Sequence, residues 1–414
     1  MTEIYSITAR NLRMQNAAAL REASSARTVS GLLVALMISY TLFAMVQGLI
    51  SFSMNRVFGG LIILVLAYDF AMHLTSWRII AACVVSVVAA IGIGIFTTNI
   101  SDELEFWIYF LCTLLMLSYL SRPGSFYGMA DACRRYRKLL VASLVTATAL
   151  LAVLLVTRTG YVTSWGGSAY FEGLANTEHA MASISCILMA ISLLTYKNDS
   201  FGKPGVFIAC AIASYAILQT GARTFLVPAL LIWMLVINET IRQRWVRTVA
   251  VAVMAAAVVA VFATSGMANK FDYVDTLGGS STADVFMSGR LGYWSADLGA
   301  FFSGGIIHQF VGNSASFVYD LNQRTFKMRI WSHNDFVMVL CSAGYLGLLV
   351  YVAVLRAFFK GLDGLAHGWY LWLLFAYLMF PALFNGFYGY QHFVYSAVFL
   401  SCAMVTRGDY HEKE

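Results

Sequence analysis

Along most of this chain the apolar residues run in long unbroken blocks rather than alternating. Blocks of roughly 17 to 25 residues are what an α-helix needs to cross the hydrocarbon core of a bilayer. Twelve can be drawn, at about 31–50, 57–74, 78–97, 104–121, 139–156, 178–196, 205–220, 223–238, 248–264, 336–357, 369–386 and 388–405. The seventh and eighth are separated only by Thr220-Gly221-Ala222-Arg223 and predict a hairpin that barely surfaces. The last two form a second tight pair around FNGFYGYQ, residues 384–391.

The pattern predicts an all-α polytopic membrane protein with about twelve spans. The expected organisation is a cytoplasmic arm at 1–30, one transmembrane domain at 31–405 and a cytoplasmic tail at 406–414. One large external loop at about 265–335 carries short helices. Within it, Leu291, Trp294, Leu298 and Phe301 recur at helical spacing, with Arg290, Tyr293 and Asp297 on another face. That spacing predicts an amphipathic helix lying along the membrane–water interface.

Composition agrees: 60% of residues are apolar, 12% are charged and the mean hydropathy is +0.72, outside the range of soluble domains. The first 27 residues are polar and do not read as a cleaved signal peptide. Six cysteines fall inside apolar blocks and Cys133 in a basic loop, which argues against a disulfide framework. A net charge of +6 could suggest nucleic acid, but in a membrane protein basic residues first set orientation. With the amino terminus inside, 19 of the 27 Lys and Arg residues are cytoplasmic. Both termini are then cytoplasmic, the span number is even, and the large loop is external.

The polar residues that could carry chemistry gather on that external side. Arg223 opens the eighth span, where it is either a snorkelling helix-end arginine or a planar fork for phosphate or pyrophosphate. Arg290 is a solvated charge, a partner for Asp297, or a second anion ligand beside Tyr293 and Trp294. His333 precedes the tenth span, with Asn334 and Asp335 as ordinary helix caps, or acts as a general base that Asp335 orients. Glu178 and His179 could bind a polar ligand at the mouth of the sixth span, and Arg158, Arg324, Lys327 and Arg329 could meet an anionic or sugar ligand. His308, His333 and Asp335 lack any specific metal-site spacing. No phosphate-cradling Walker loop, dinucleotide fingerprint, HExxH or CxxC motif occurs.

The order of QTGARTFLVPALLIWML, SGRLGYW and SHNDFVMVLCSAGYLGLLVYV resembles the O-antigen polymerase and ligase superfamily of bacterial envelope enzymes. Its members carry an arginine that opens a span after a Gly-rich turn, an Arg-x-x-x-Trp element in the external loop, and a His-Asn before a span with Gly-x-x-Gly. The matching positions are Arg223, then Arg290 with Trp294, then His333 and Asn334 with Gly344 and Gly347. The close resemblance spans about residues 205–357; ANTEHAMA is also similar to a polymerase element, without its intact Asn-Pro-Asn.

The resemblance implies a C-type membrane glycosyltransferase fold in the bacterial inner membrane, with the active site facing the periplasm and no cofactor or metal. It implies catalytic Arg223, Arg290 and His333, and substrate contacts from Tyr293, Trp294, Asn334, Asp335, Arg158, Glu178, His179 and Arg324. The expected partners are an undecaprenyl-pyrophosphate-linked oligosaccharide, membrane lipids and a polysaccharide chain-length regulator, with no nucleic acid. A polymerase passes the growing chain to another lipid-linked repeat unit, and a ligase passes it to lipid A-core. HNDFVMVLCSAGYLG looks more like the polymerase version. A transporter or lipid flippase is the alternative from another class; Asp69 and His73 are the few charges inside spans, and no self-similarity relates the two halves.

Overall fold

The computed structural model describes residues 27–72, 99–164, 167–264, 290–363 and 368–405. The predicted span at 78–97, nearly all of the amino-terminal arm, the first part of the external loop including Lys270, His73 and the tail lie outside the described residues. In chain order the helices are α1 (Arg27–Ala44), α2 (Met54–Met72), α3 (Ile100–Leu120), α4 (Pro123–Arg135) and α5 (Arg137–Val156). A hairpin of β1 (Tyr161–Ser164) and β2 (Ser168–Phe171) follows. Then come α6 (Glu178–Lys197), α7 (Lys203–Thr220), a short 3-10 turn at Arg223–Phe225, α8 (Leu226–Thr240) and α9 (Arg244–Thr264). The segment predicted to be the external loop holds α10 (Arg290–Ser303), α11 (Ile306–Val311) and α12 (Ala315–Phe326). The chain ends in α13 (Asp335–Leu362), α14 (Gly368–Phe384) and α15 (Gln391–Met404). Eight of the described helical segments are long and apolar enough to cross a membrane, and α14 is a shorter apolar helix. The chain is a helical, multi-pass membrane protein.

Two local features depart from the sequence reading. The β1–β2 hairpin, paired antiparallel from Tyr161 with Phe171 to Ser164 with Ser168, interrupts an otherwise helical chain. Cys133 lies in α4, not in a loop, and is fully buried. All six described cysteines are buried free thiols.

The centre of the bundle is α6, whose residues from Met181 to Thr195 are buried on every side. It packs on α15, which is buried along its whole length, and on α7 and α5. A helix buried all round has no polar face. Between spans in lipid, small residues permit close backbone approach, and α6 supplies Ala182, Ser183, Ser185, Cys186, Ala190 and Ser192. The hydroxyls of Ser183, Ser185, Ser192 and Thr195 donate to carbonyls one turn back, so they cost little in an apolar core. Asp69, buried in α2, accepts from Arg122 Nη1 at 2.9 Å and forms a structural ion pair.

Three ties hold the segment from α10 to α12 to the bundle. Glu103, buried near the start of α3, accepts from the backbone N–H of Ser316 at 2.7 Å and from its hydroxyl at 3.0 Å, which caps α12. Arg329, just beyond α12, pairs with Asp102 of α3 and Asp320 of α12.

The third tie is a break inside α13. Gly344 has φ +69°, which interrupts the helical hydrogen bonds. The freed carbonyls are taken up by the external segment: Asn313 N–H donates to Cys341 O at 2.8 Å and Ser314 N–H to Ser342 O at 3.2 Å. Irregular backbone at membrane depth requires such replacement partners. Only glycine fits on either side, since a Cβ on Gly344 would lie 2.3 Å from Phe310 O and one on Gly312 (φ +90°) 2.2 Å from Ser342 O. The Gly344→Ala and Gly312→Ala variants are expected to lose about 2 kcal/mol or more of stability each. Thermal unfolding followed by size-exclusion chromatography in detergent checks this, and a parent-like melting temperature for both would refute the docking geometry.

Candidate active site

The site is built where three chain reversals meet at one end of the bundle. The first is the α7–α8 turn, where Gly221 (φ +64°) ends α7 in the left-handed conformation and Arg223 opens the 3-10 turn that leads into α8. The second is the approach to α13 from Trp331 to Asn334. The third is the α14–α15 turn, residues 385–390.

Asp335 holds the second and third together. Its carboxylate is fully buried and accepts from the backbone N–H groups of Phe387 (3.0 and 2.9 Å) and Tyr388 (3.3 Å) and from the Tyr351 hydroxyl (2.7 Å). The expectation that Asp335 orients His333 is thereby corrected: its oxygens are committed to the turn. Asn334 is the amino-terminal cap of α13, its Oδ1 accepting from Phe336 and Val337 N–H at 2.9 and 3.1 Å. The turn so held presses against Trp331, and a Cβ on Gly386 (φ +143°) would meet that indole at 1.9 Å.

The residue that orients His333 is Asn385, whose Oδ1 lies 3.1 Å from His333 Nδ1. With a carbonyl oxygen as acceptor, Nδ1 carries the proton and the lone pair sits on Nε2. His333 itself has φ +51°, an uncommon conformation for a non-glycine residue that this bond and the flanking caps sustain. Burial, then the charges of Arg290 and His179, hold its pKa well below the ordinary histidine value, and the Asn385 bond opposes them. The imidazole is neutral at physiological pH.

Arg290 opens α10 and donates to the carbonyl of Phe384, the residue before the same turn. Among the described residues no carboxylate pairs with it, and the anticipated bond to Asp297 does not form. Burial is the main cause that lowers its pKa to about 10; Tyr390 and Tyr293 oppose this, and the charge of Arg223 adds to it. The two guanidinium groups therefore lie within electrostatic reach of each other. Tyr170 of β2 lies beside Arg223, so the hairpin forms one wall. Tyr390 completes the other: its ring stands 6.0 Å from His179, 5.8 Å from Phe225 and 6.1 Å from Trp331.

Of the residues singled out by sequence, Arg223, Arg290, His333 and His179 are brought together. Glu178, in the first turn of α6, lies near Glu172 and Tyr170, and Glu172 is raised above the ordinary carboxylate value by burial and by the Glu178 charge. Trp294 supports the site from behind, donating its indole N–H to Ser332 O at 2.7 Å. Tyr293 is buried with its ring edge-on to Phe326 at 4.7 Å. The buried residues of α10 are Tyr293, Asp297 and Phe301; of the predicted apolar stripe Phe301 is buried, Trp294 and Leu298 are partly buried against the core, and Leu291 is exposed. Arg158 (φ +52°) lies over the Tyr161 ring at the foot of the hairpin, outside the cluster. Arg324 is exposed on α12, with its carbonyl accepting from Lys327 Nζ. His308 is exposed on α11, so it does not join His333 and Asp335.

Sequence reasoning missed Asn385 and Tyr390. The signal available was FNGFYGYQ itself, two glycines and an asparagine in a turn too short to be filler, but nothing in it shows which loop it faces.

No family model matches the chain, and no curated protein matches it in sequence.

Asp297 offers a test of the packing behind the site. It is fully buried and accepts from Ser332 Oγ at 2.7 Å, and burial raises its pKa to about 6. The folded protein thus keeps a proton that the unfolded chain releases near pH 4, so this carboxyl makes stability fall as pH rises from about 4 to 6. Asp297→Asn is expected to gain up to about 3 kcal/mol at pH 7.5. The gain should vanish near pH 4 in melting curves recorded across that range; a variant less stable than the parent at pH 7.5 would contradict the assignment.

Proposed function

We propose that this protein is a membrane glycosyltransferase that uses a polyprenyl-pyrophosphate-linked saccharide as donor at the outer face of the bacterial inner membrane. The observation that carries the reading is Arg290, a half-buried guanidinium whose hydrogen bond, among the described residues, goes to a carbonyl, within electrostatic reach of a second arginine and of a neutral histidine. Two like charges held close in a site of low polarity are stabilised by an anion between them. The matching order of Arg223, Arg290 and His333 with the O-antigen polymerase and ligase pattern supports the same choice.

In the proposed reaction the hydroxyl of an acceptor sugar attacks the anomeric carbon of the donor. The new glycosidic bond forms as the bond from that carbon to the pyrophosphate oxygen breaks, and the pyrophosphate leaves with the electron pair. The hydroxyl proton passes to Nε2 of His333, the nitrogen that Asn385 leaves unprotonated. Arg223 and Arg290 stabilise the charge that grows on the leaving group. His179 and Tyr390 line the same space, where a sugar ring can stack on the phenol face. The acceptor we assign is a second lipid-linked repeat unit, which makes the protein a polysaccharide polymerase.

Purified protein in liposomes with a synthetic lipid-pyrophosphate repeat unit is expected to give a ladder of products on a gel. His333→Ala and Arg290→Ala are each expected to slow it about 10²- to 10³-fold. Near-parent turnover by His333→Ala would rule out the base. Absence of a ladder, with transfer once lipid A-core is added, would identify a ligase; inactivity with both acceptors would favour transport.

The rate is also expected to stay flat between pH 6 and 8, because His333 is already deprotonated there, and to fall only at more acidic pH. His179→Ala removes one charge that depresses the His333 pKa, so it should move the acid limb upward. A rate that rises through pH 6.5 in the parent enzyme would contradict a buried, neutral imidazole.

A further inference from the structure

The external segment contains one surface that the proposed reaction does not use. Phe302, Ile306, Ile307 and Phe310, on α11 and at the end of α10, are all more than half exposed. They adjoin α13 where it too is apolar and open: Phe310 lies 6.2 Å from the Tyr345 ring, and Leu346 and Leu349 are exposed on the same helix. The patch therefore continues a helix face that already meets lipid.

Depth makes the case stronger. α13 has 28 residues, about 42 Å of helix, against a hydrocarbon core of about 30 Å. Its cytoplasmic end carries Arg356 and Lys360. Measured outward from either charge, about 30 Å of helix ends between about residues 336 and 340. Cys341 and Ser342, whose carbonyls hold Asn313 and Ser314, thus lie inside the outer edge of the hydrocarbon. Whatever hangs from that break is drawn down to the same level.

The polar groups of the segment are arranged as lipid demands. Gln309 Nε2 donates to the carbonyls of Phe302 and Gly304 at 3.1 and 3.2 Å, and Gly312 N–H donates to His308 O at 2.7 Å. Turn carbonyls facing water need no such side chain; in a bilayer they do. His308, also exposed, has an apolar body and a polar tip that suit the headgroup boundary.

We propose that α11 and the turn before it are embedded in the outer leaflet, with lipid acyl chains covering Phe302, Ile306, Ile307 and Phe310. The interfacial element is thus α11 with the end of α10, while Tyr293, Asp297 and Phe301 of α10 are buried in protein. Loop helices of this amphipathic kind enter the headgroup–acyl boundary by about 5–10 Å, which agrees with the position of the break.

The test needs no turnover. Ile307→Cys in the full-length protein is labelled with an environment-sensitive thiol fluorophore and reconstituted in liposomes. Identically treated parent gives the background, and Arg324→Cys on exposed α12 gives the aqueous reference. The expected result is blue-shifted emission from position 307, lost with doxyl-labelled lipids and unaffected by iodide, with the reverse at position 324. Quenching of position 307 by iodide alone would overturn the proposal. Protection from both quenchers would also overturn it, since a protein surface would then cover the patch. Phe302→Cys serves as the second probe if the first does not insert.

Discussion

A single buried carboxylate sets the geometry on which this end of the bundle depends. Asp335 begins α13, yet its oxygens are spent on the backbone of a turn some fifty residues later in the chain. An isolated ionised group at that depth would be prohibitively costly, and the two N–H groups and one phenol are what permit it. Because those donors belong to consecutive peptide units, the clamp fixes the orientation of the turn as well as its position. Phe384 O and Asn385 Oδ1 then point at Arg290 and His333. One carboxylate thus decides where Arg290 and His333 are anchored.

The same reasoning explains why the site contains charges at all. Lipid is a poor solvent for them, and most others among the described residues find partners: Asp69 with Arg122, Lys197 with Glu239, Arg329 with Asp102 and Asp320. Arg290 is handled differently, with a carbonyl in place of a carboxylate. Its full positive charge stays available to whatever enters.

The span pattern was readable because lipid imposes it: blocks such as 104–121, 178–196 and 336–357 each coincide with a helix to within a few residues. Arg223, Arg290 and His333 stood out in the sequence through their order, and the structure brings them together. The remainder depends on which surfaces touch, and a single sequence does not record that. Asp335 reads equally well as a helix cap, an orienting acid or a clamp until the 385–390 turn is placed beside it. Ser332 draws Asp297 of α10 inward beside Phe301, so the polar side that the spacing assigned to Tyr293 and Asp297 is buried too, which the apolar stripe Leu291, Trp294, Leu298 and Phe301 did not reveal. The β-hairpin lies in a stretch too short and too polar for any periodicity to show. Gly344 sits in an apolar run that looks continuous, and only the arrival of Asn313 and Ser314 reveals why the helix stops there.

The ties of Glu103 to Ser316 and of Arg329 to Asp102 have an entropic consequence. With α12 fastened to α3 and the chain ahead of it hooked into α13, the roof over the cluster is assembled before any ligand arrives. A flexible flap would have to be ordered at each encounter, at about 0.5–1.5 kcal/mol for every side chain immobilised. Here that ordering is completed once, during folding.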